Sequence, residues 1–301
     1  MSPQPEVLQI DLSRVQRRAL DFLALTKPGV IAMVLVTTGV GFYLGSYDGA
    51  DYLLLLRTLV GTALAAGGTL ALNQFIERDV DAKMERTRLR PLPDGRLQAA
   101  EAFVFGLVVT LAGLFYLSLT VSLLSGVVTA TISVIYLGLY TPLKRVTPLC
   151  SIVGAVSGAL PPVTGWVAAH DGFGVGAWVL FAILFLWQLP HSLAIARLYR
   201  EDYARAGIRL LPIVEPDGKS TGRQVVINCL ALLPVGLLPT LLGLSGPLYF
   251  IAALVLGMAF LAYGISFAVS RTAPAARQLL LASLLYLPAV LIAMALDKVL
   301  F

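Results

Sequence analysis

Charged residues are scarce in this sequence. Asp, Glu, Lys and Arg make up 13% of its 301 residues, whereas a soluble domain carries roughly 25%, and 58% of the chain is hydrophobic. This balance excludes a soluble globular domain. Cysteine is scarce as well: Cys150 and Cys229 have no metal-ligand spacing and imply no disulfide framework, so we interpret both as small packing residues. The positive charges are confined to short loops, which argues against a nucleic-acid-binding protein.

Long apolar runs make up most of the chain. Nine of them approach the length of about 20 residues that a membrane-spanning helix needs. They predict an all-α integral membrane protein with about nine transmembrane helices in a single polytopic domain over 28–301. The preceding segment, 1–27, carries an amphipathic stretch at 15–25 that suits the membrane surface, and it shows no signal-peptide cleavage site. The predicted spans are 28–46, 52–74, 99–119, 121–140, 147–169, 173–196, 224–244, 247–270 and 276–296.

The basic residues predict the orientation of these helices. Of the 22 Lys and Arg residues, all but Arg57 and Lys298 fall in the N-terminal segment or around the loops that share its side of the membrane. The opposite loops offer Asp48, Asp51 and Asp171 instead. Because Lys and Arg concentrate on the cytoplasmic side of membrane proteins, we expect the N-terminus inside and the C-terminus outside.

The segment 73–93 concentrates ionisable residues directly after an apolar run, where they are costly and mark a functional site. Asn73, Glu77 and Asp81 stand at i, i+4 and i+8, within roughly 80° of one helix face. Three oxygen donors at this spacing suit Mg²⁺, which is typically held by one or two carboxylates plus substrate phosphate oxygens. The alternative is a solvated helix face with ion pairs along it. Asn73 favours the metal site, because it lies inside the apolar run where solvation does not explain it.

Basic residues follow these oxygen donors. Arg86 and Arg90 lie one turn apart just before Pro91, with Lys83 and Arg88 nearby. Arginines at this spacing can each bind phosphate oxygens through two hydrogen bonds. Anchoring by the positive-inside bias is the alternative, but it does not explain why cations alternate with acids. Metal ligands followed by arginines are what an anionic phosphate substrate needs.

A second cluster follows the sixth apolar run and weakly repeats the first. The run Arg200–Arg205 (REDYAR) is similar to Arg78–Lys83 (RDVDAK), and each is followed by a Leu-Pro pair. His191, just after Pro190, shares one face of an ideal helix with Asp202. This histidine is either a packed, hydrogen-bonded residue or a ligand, base or substrate contact, because ionisable groups inside a membrane are costly. We expect both clusters on the same side of the membrane.

Several motifs match one known family over nearly the whole chain. They are Thr26-Lys27-Pro28, the segment 73–92 with its Glu77, Met84 and Arg86-Thr87 to Arg90-Pro91, Tyr140 to Arg145, Gly158 to Trp166, Pro190-His191 and Asp202 to Ile208. The chain thereby resembles the UbiA-type intramembrane prenyltransferases, and within them the haem-farnesylating branch. It departs from the pattern at a few positions. The second aspartate-rich motif is represented by Tyr199, Glu201, Asp202 and Tyr203, while Cys150, Ser192 and Arg209-Leu210 replace an Asn, an aromatic residue and Pro-Met.

The resemblance implies transfer of farnesyl from farnesyl diphosphate to a vinyl group of protohaem IX, with water adding as a hydroxyl to give haem O. It implies Mg²⁺ on Glu77 and Asp81, oriented by Asn73. Arg86 and Arg90 would then stabilise the charge on the leaving diphosphate. The farnesyl tail would lie in the apolar bundle, shielding an allylic cation from water.

A haem acceptor also leads to a hypothesis about how the haem is held. Its propionates would pair with inner-side cations such as Arg197 or Arg200, and His191 would contact haem as an iron ligand or orient the hydroxylating water. The remaining implied site residues are Asp202 as a catalytic group and Asp79, Lys83, Lys144, Arg145 and Tyr203 as substrate contacts. The implied setting is the lipid of a bacterial-type inner membrane, with the site facing the cytoplasm and a complex with a downstream haem-modifying enzyme.

Two other functions fit the sequence. One is a prenyltransferase of the same fold that acts on a quinone precursor or a lipid alcohol. The other is a secondary transporter, since many spans, broken helices and buried charges suit one equally well. The charges cluster at one membrane face and leave no polar path to the other, which argues against transport.

Overall fold

The computed structural model describes residues 12–46, 49–215 and 217–298. Asp48 and the first part of the N-terminal segment lie outside these residues, as does the side chain of Arg14. The predicted all-α membrane fold is confirmed, because nine helices of the described chain are long and apolar enough to cross a membrane. The spans are Pro28–Gly45, Tyr52–Asp81, Ala99–Thr120, Leu123–Leu143, Cys150–His170, Val175–Leu198, Lys219–Leu241, Pro247–Ser270 and Ala273–Leu296.

The regular spans are single helices. They are preceded by α1 (Leu12–Leu25) and comprise α2 (Pro28–Gly45), α3 (Tyr52–Asp81), α4 (Ala99–Thr120), α9 (Val175–Leu198), α12 (Lys219–Leu241), α13 (Pro247–Ser270) and α14 (Ala273–Leu296). Neighbours along the chain pack side by side, and α14 also touches α2, so the spans form a closed ring. Their outward faces expose many large apolar residues, as expected for lipid contact.

Two spans are irregular. The fourth consists of α5 (Leu123–Val134), a π-helical segment (Ile135–Tyr140) and α6 (Thr141–Leu143). The fifth is divided into α7 (Cys150–Ala159) and α8 (Pro161–His170), with the break at Leu160. The sequence predicts this break from the pair Pro161-Pro162, because proline lacks the N–H that would continue the helix.

Short helices and loops cover one end of the ring, which we call the inner end. It includes α10 (Arg200–Arg205) and α11 (Leu211–Val214). On this side α1 is joined to the loop 82–98 by an ion pair between Asp21 and Arg96. The side-chain amide of Gln74 donates to the carbonyls of Ala24 and Leu25, at 3.1 and 2.9 Å. These contacts fix the loop that follows α3 over the inner end of the bundle.

Candidate active site

The last turns of α3 hold the predicted oxygen donors. The helix continues to Asp81, seven residues beyond the end expected from hydropathy at Gln74. Asn73 is fully buried, Asp81 is 1% exposed, and the side chain of Glu77 is 13% exposed. The helix therefore carries two carboxylates and an amide into a poorly solvated place, where each needs a partner.

Each of these three side chains has a cation as its partner. The ammonium of Lys144 lies 2.8 Å from Glu77 Oε1, and the guanidinium of Arg90 lies 2.6 Å from Asp81 Oδ2. The ammonium of Lys27 donates to Asn73 Oδ1 at 3.1 Å. The cations come from three separate parts of the chain: the residue before α2, the end of the fourth span and the loop 82–98. Together these six side chains form what we call the oxygen–cation cluster.

Lys27 is the member of the cluster that the sequence did not single out. In the sequence, Lys27 is only one of the basic residues on the inner side and a part of the motif Thr26-Lys27-Pro28. Its backbone is left-handed, with φ 53° and ψ 70°, which is costly for a residue with a Cβ and occurs mostly at functional sites. Burial and then repulsion from Arg90 and Lys144 lower the pKa of Lys27 to about 7. Its partner Asn73 is distant in sequence, so only the fold shows the contact.

The π-helical segment supports the cluster from the fourth span. Thr141 accepts a hydrogen bond from the amide of Asn73 at 3.1 Å and donates to the carbonyl of Tyr136 at 2.8 Å. The ammonium of Lys144 lies 4.4 Å from the centre of the Tyr140 ring. π-Helical turns inside α-helices often occur at functional sites, and this one places Thr141 and Lys144 opposite α3.

The loops after the second, fourth and sixth spans meet at this site. Arg86 lies over the ring of Tyr199, with 5.3 Å from Cζ to the ring centre. A small buried core joins the first loop to the third, and its members are Val80, Met84, Ala206 and Ile208, with Tyr203 packed against them. The backbone N–H of Arg209 donates to the carbonyl of Lys144 at 2.7 Å. The two charged clusters are therefore on the same side of the bundle, as the sequence predicted.

The second cluster does not mirror the first. The helix of the sixth span ends at Leu198, and Tyr199 is not helical, so a new helix begins at Arg200. The prediction that His191 and Asp202 share one face of a continuous helix is therefore wrong. Asp202 pairs with Arg205, one turn later in α10. Arg197 donates from two guanidinium nitrogens to the carbonyl of Arg271, at 3.3 and 3.0 Å. Arg200 is half-buried at the start of α10.

Three predicted substrate contacts lie outside the oxygen–cation cluster. The side chain of Asp79 is 77% exposed and lies 3.9 Å from the guanidinium of Arg78. Lys83 and Arg145 are exposed beside the cluster. All three remain at the inner end, where they face the solvent or the lipid headgroups rather than the buried oxygens.

His191 lies deeper, on α9. Its ring stacks on Trp187, with ring centres 4.9 Å apart, and its Nδ1 lies 2.8 Å from Ser283 Oγ on α14. The neighbouring Gln188 points the other way, toward Gly154 and Gly158 of α7. His191 is therefore between the fifth and ninth spans, separate from the oxygen–cation cluster.

Comparison with known proteins agrees with this architecture. The UbiA prenyltransferase family matches residues 34–287. The chain belongs to the UbiA prenyltransferase family. A relative from Solibacter usitatus named "Protoheme IX farnesyltransferase" is 50% identical over 287 residues, covering 92% of this chain and 98% of the relative. This UbiA chain is thus a prenyltransferase and an integral membrane protein.

Solved structures share the fold at low identity. Digeranylgeranylglyceryl phosphate synthase has a TM-score of 0.79 at 17% identity, over 95% of this chain and 99% of that one. A UbiA homolog from Archaeoglobus fulgidus bound to GPP and Mg²⁺ has a TM-score of 0.59 at 16% identity, over 91% and 99% of the two chains. These likenesses establish that the nine-span ring is the UbiA fold.

The donor set in this UbiA chain fits Mg²⁺. Hard oxygen ligands from one or two carboxylates, completed by substrate phosphates, are the usual environment of this ion. Within the described part of the chain, no group of three or more His, Cys, Asp or Glu side chains is placed to hold a metal. Glu77 and Asp81 with the amide oxygen of Asn73 would hold the ion, and phosphate oxygens of a substrate would complete its coordination.

Proposed function

We propose that this chain transfers a farnesyl group from farnesyl diphosphate to a vinyl group of protohaem IX, giving haem O and diphosphate. The oxygen–cation cluster is the observation that supports the proposal, because it combines the predicted Mg²⁺ ligands with three partly buried cations. The acceptor is inferred from the Solibacter usitatus relative, which is 50% identical and named for protoheme farnesylation.

The cluster would bind the diphosphate. Mg²⁺ held by Asn73, Glu77 and Asp81 would supply charge neutralisation to the phosphate oxygens. Lys27, Arg90 and Lys144 pair with Asn73, Asp81 and Glu77 in this structure, and they would turn to the phosphates once Mg²⁺ is bound to those side chains. Their charges would then stabilise the negative charge that grows on diphosphate as its bond to the farnesyl C1 breaks.

Aromatic rings stand beside the place where the farnesyl cation would form. Tyr136 and Tyr140 are 5.3 Å apart on the π-helical segment, and Tyr140 adjoins Lys144. Aromatic faces attract cations, and the surrounding apolar bundle excludes water that would end the reaction early. The vinyl carbon of protohaem bonds to farnesyl C1, and water adds to the resulting cation with loss of one proton, giving the hydroxyl of haem O.

The remaining predicted residues are proposed as contacts for the acceptor. Arg197 and Arg200 lie near the inner end of α9 and could pair with the propionates. Asp202 is proposed as a catalytic group close to them. Arg86 stacked on Tyr199, and Tyr203 packed on the small core beside it, would cover the site at the inner end. Charged substrates would reach it past the exposed residues Asp79, Lys83 and Arg145.

The proposed setting is the inner membrane of a bacterial-type cell. The positive-inside pattern supports a site that faces the cytoplasm, with protohaem and farnesyl diphosphate entering from the cytoplasmic leaflet. The product is a membrane-embedded haem, so a complex with a downstream haem-modifying enzyme would spare it a transfer through water.

Mass spectrometry tests the proposal. Purified protein is incubated with protohaem, farnesyl diphosphate and Mg²⁺, and we expect a haem product heavier by farnesyl plus hydroxyl, which a chelator abolishes. Glu77→Gln should lower turnover at least about 100-fold, since even outer partners of metal ligands cost 10–100-fold. The control Glu85→Gln removes an exposed carboxylate paired with Arg88 and should leave turnover unchanged. A farnesylated phenol or lipid, with haem unmodified, would overturn the assigned acceptor.

A further inference from the structure

Ser283 on α14 anchors two aromatic rings of α9 at once. Its hydroxyl oxygen lies 2.8 Å from His191 Nδ1, and its carbonyl accepts from Trp187 Nε1 at 2.9 Å. The imidazole and indole rings stack nearly parallel, with an angle of 23° between their planes. The His191 ring is therefore held at one edge by Ser283 and on one face by Trp187.

The protons of this arrangement can be assigned. Ser283 Oγ lies 2.6 Å from the carbonyl oxygen of Leu280, a separation at which two oxygens need a proton between them. A serine hydroxyl has one proton, and this bond uses it. Ser283 Oγ therefore accepts from His191, so Nδ1 carries the hydrogen. In the neutral imidazole the lone pair is then on Nε2.

His191 is half-buried, and within the described part of the chain its Nε2 receives no hydrogen bond from another residue and is not enclosed by protein atoms. His191 lies seven residues before the inner end of α9, about 10 Å along the helix axis. A ring that is fixed in this way and has an accessible nitrogen can coordinate a metal ion.

We propose that His191 Nε2 binds the iron of the haem substrate and that Ser283 is the positioning residue that fixes its tautomer. This inference rests on the proposed function and specifies which atom holds the acceptor. Neutral imidazole is a common axial ligand of haem iron, and metal-bound histidines almost always donate their other N–H to a fixed oxygen. Coordination on α9 would hold the haem ring inside the bundle, with its propionates free to reach the inner end.

Haem titration of the full-length protein in detergent tests the role of Ser283. Ferric haem is added to wild type, Ser283→Ala, Ser283→Thr and His191→Gly, and the Soret band and electron paramagnetic resonance spectrum are recorded. We expect Ser283→Ala to weaken haem binding about tenfold or more, because the ring can then rotate and change tautomer. Ser283→Thr keeps the hydroxyl and should restore binding. His191→Gly should lose the iron–imidazole signature and regain it with added imidazole.

A matched control separates this effect from loss of a buried serine. Ser157 is also buried and donates to the carbonyl three residues earlier, Gly154, at 2.9 Å, but it has no histidine partner. Ser157→Ala should bind haem as wild type does. Spectra of His191→Gly that equal those of wild type would overturn the inference, and continued haem O formation in that case would leave the proposed function intact. Wild type that neither binds nor farnesylates haem would overturn both.

Discussion

At the scale of single residues, the site depends on cations held in unfavourable places. Lys27 combines a left-handed backbone, which costs about 1–3 kcal/mol, with a buried ammonium beside two other cations. Its hydrogen-bond partner is the amide oxygen of Asn73, a neutral group, and the charges of Glu77 and Asp81 attract it only from a greater distance. Lys27 is therefore the most weakly compensated member of the oxygen–cation cluster, and the one that is most easily released to a phosphate.

Replacement of Lys27 should separate metal binding from diphosphate binding. In Lys27→Met the ammonium no longer competes for Asn73, so Mn²⁺ alone should bind several-fold tighter. Inorganic pyrophosphate should bind about tenfold more weakly, because a charge-assisted hydrogen bond is lost. Both affinities can be measured by calorimetry. Lys219→Met, which removes an exposed ammonium near Asp217, is the control, and equal affinities in the two variants would contradict the assigned role.

Some of the site could be predicted from residues and some could not. Asn73, Glu77 and Asp81 share one helix, so their spacing alone placed them on one face. The partners of Lys27 and His191 are distant in sequence, and no local pattern indicates them. Arg86 and Arg90 were predicted to lie one helical turn apart, but the loop 82–98 is not helical, and the two side chains contact Tyr199 and Asp81 respectively.

At the scale of helices, close packing of α3 on α4 positions the site. A Cβ added to Gly68 would lie 2.3 Å from the backbone nitrogen of Thr110, and one added to Gly113 would lie 2.3 Å from that of Ala65. Both positions thus require glycine. Helices in a membrane are not driven together by the hydrophobic effect, because lipid tails are as apolar as the side chains. Their association usually depends on small residues that allow the backbones to approach closely.

Gly68→Ala should destabilise the protein although alanine favours helices. Overpacking of this kind costs about 1–3 kcal/mol, and the shift of α3 should also displace Asn73. Gly39→Ala is the control, because this glycine is also in a membrane-spanning helix and its Cβ would meet only Leu59 Cδ2, at 3.9 Å. Thermal denaturation in detergent, with haem O formation as a second readout, compares the two. A melting temperature of Gly68→Ala that equals that of the control would contradict the packing argument.

Hydropathy predicted the ends of a helix well where the helix is apolar over its whole length and faces lipid. The eighth span, Pro247–Ser270, has the predicted bounds, since apolar residues run from one turn signal to the next. The second span is longer than predicted because its charged end is compensated by cations from elsewhere. The π-helical segment, Ile135–Tyr140, has an ordinary apolar sequence, so its altered turn depends on tertiary contacts such as that of Thr141 with Asn73.

At the scale of the whole molecule, the charges divide the two ends of the ring. Arg18 pairs with Glu101 at 2.5 Å and Arg209 contacts the end of the fourth span, whereas the opposite end has Asp51 as the N-cap of α3. The inner end thus carries the loops that build the site. This asymmetry is the basis for the predicted orientation, with the inner end in the cytoplasm.

Single cysteines can test that orientation in intact cells. Cys150 and Cys229 are buried, so a membrane-impermeant maleimide should label wild type poorly. Val175→Cys, at the exposed start of α9, should react in intact cells, whereas Glu85→Cys should react only after the membrane is permeabilised. Both sites are well exposed, so accessibility alone does not separate them. The reverse labelling pattern would contradict an inner end that faces the cytoplasm.

Each of the three predicted metal-ligand side chains has a cation as its partner, and this pairing also constrains the order in which reactants bind. A divalent ion that entered alone would leave Lys27, Arg90 and Lys144 as uncompensated cations in a poorly solvated place, which is strongly unfavourable. A prenyl diphosphate that arrives with the ion gives all of them a new anion. In steady-state kinetics, the true substrate is then the complex of the ion with the diphosphate, and the free ion is not an independent activator. Initial rates should follow the concentration of the Mg²⁺–diphosphate complex.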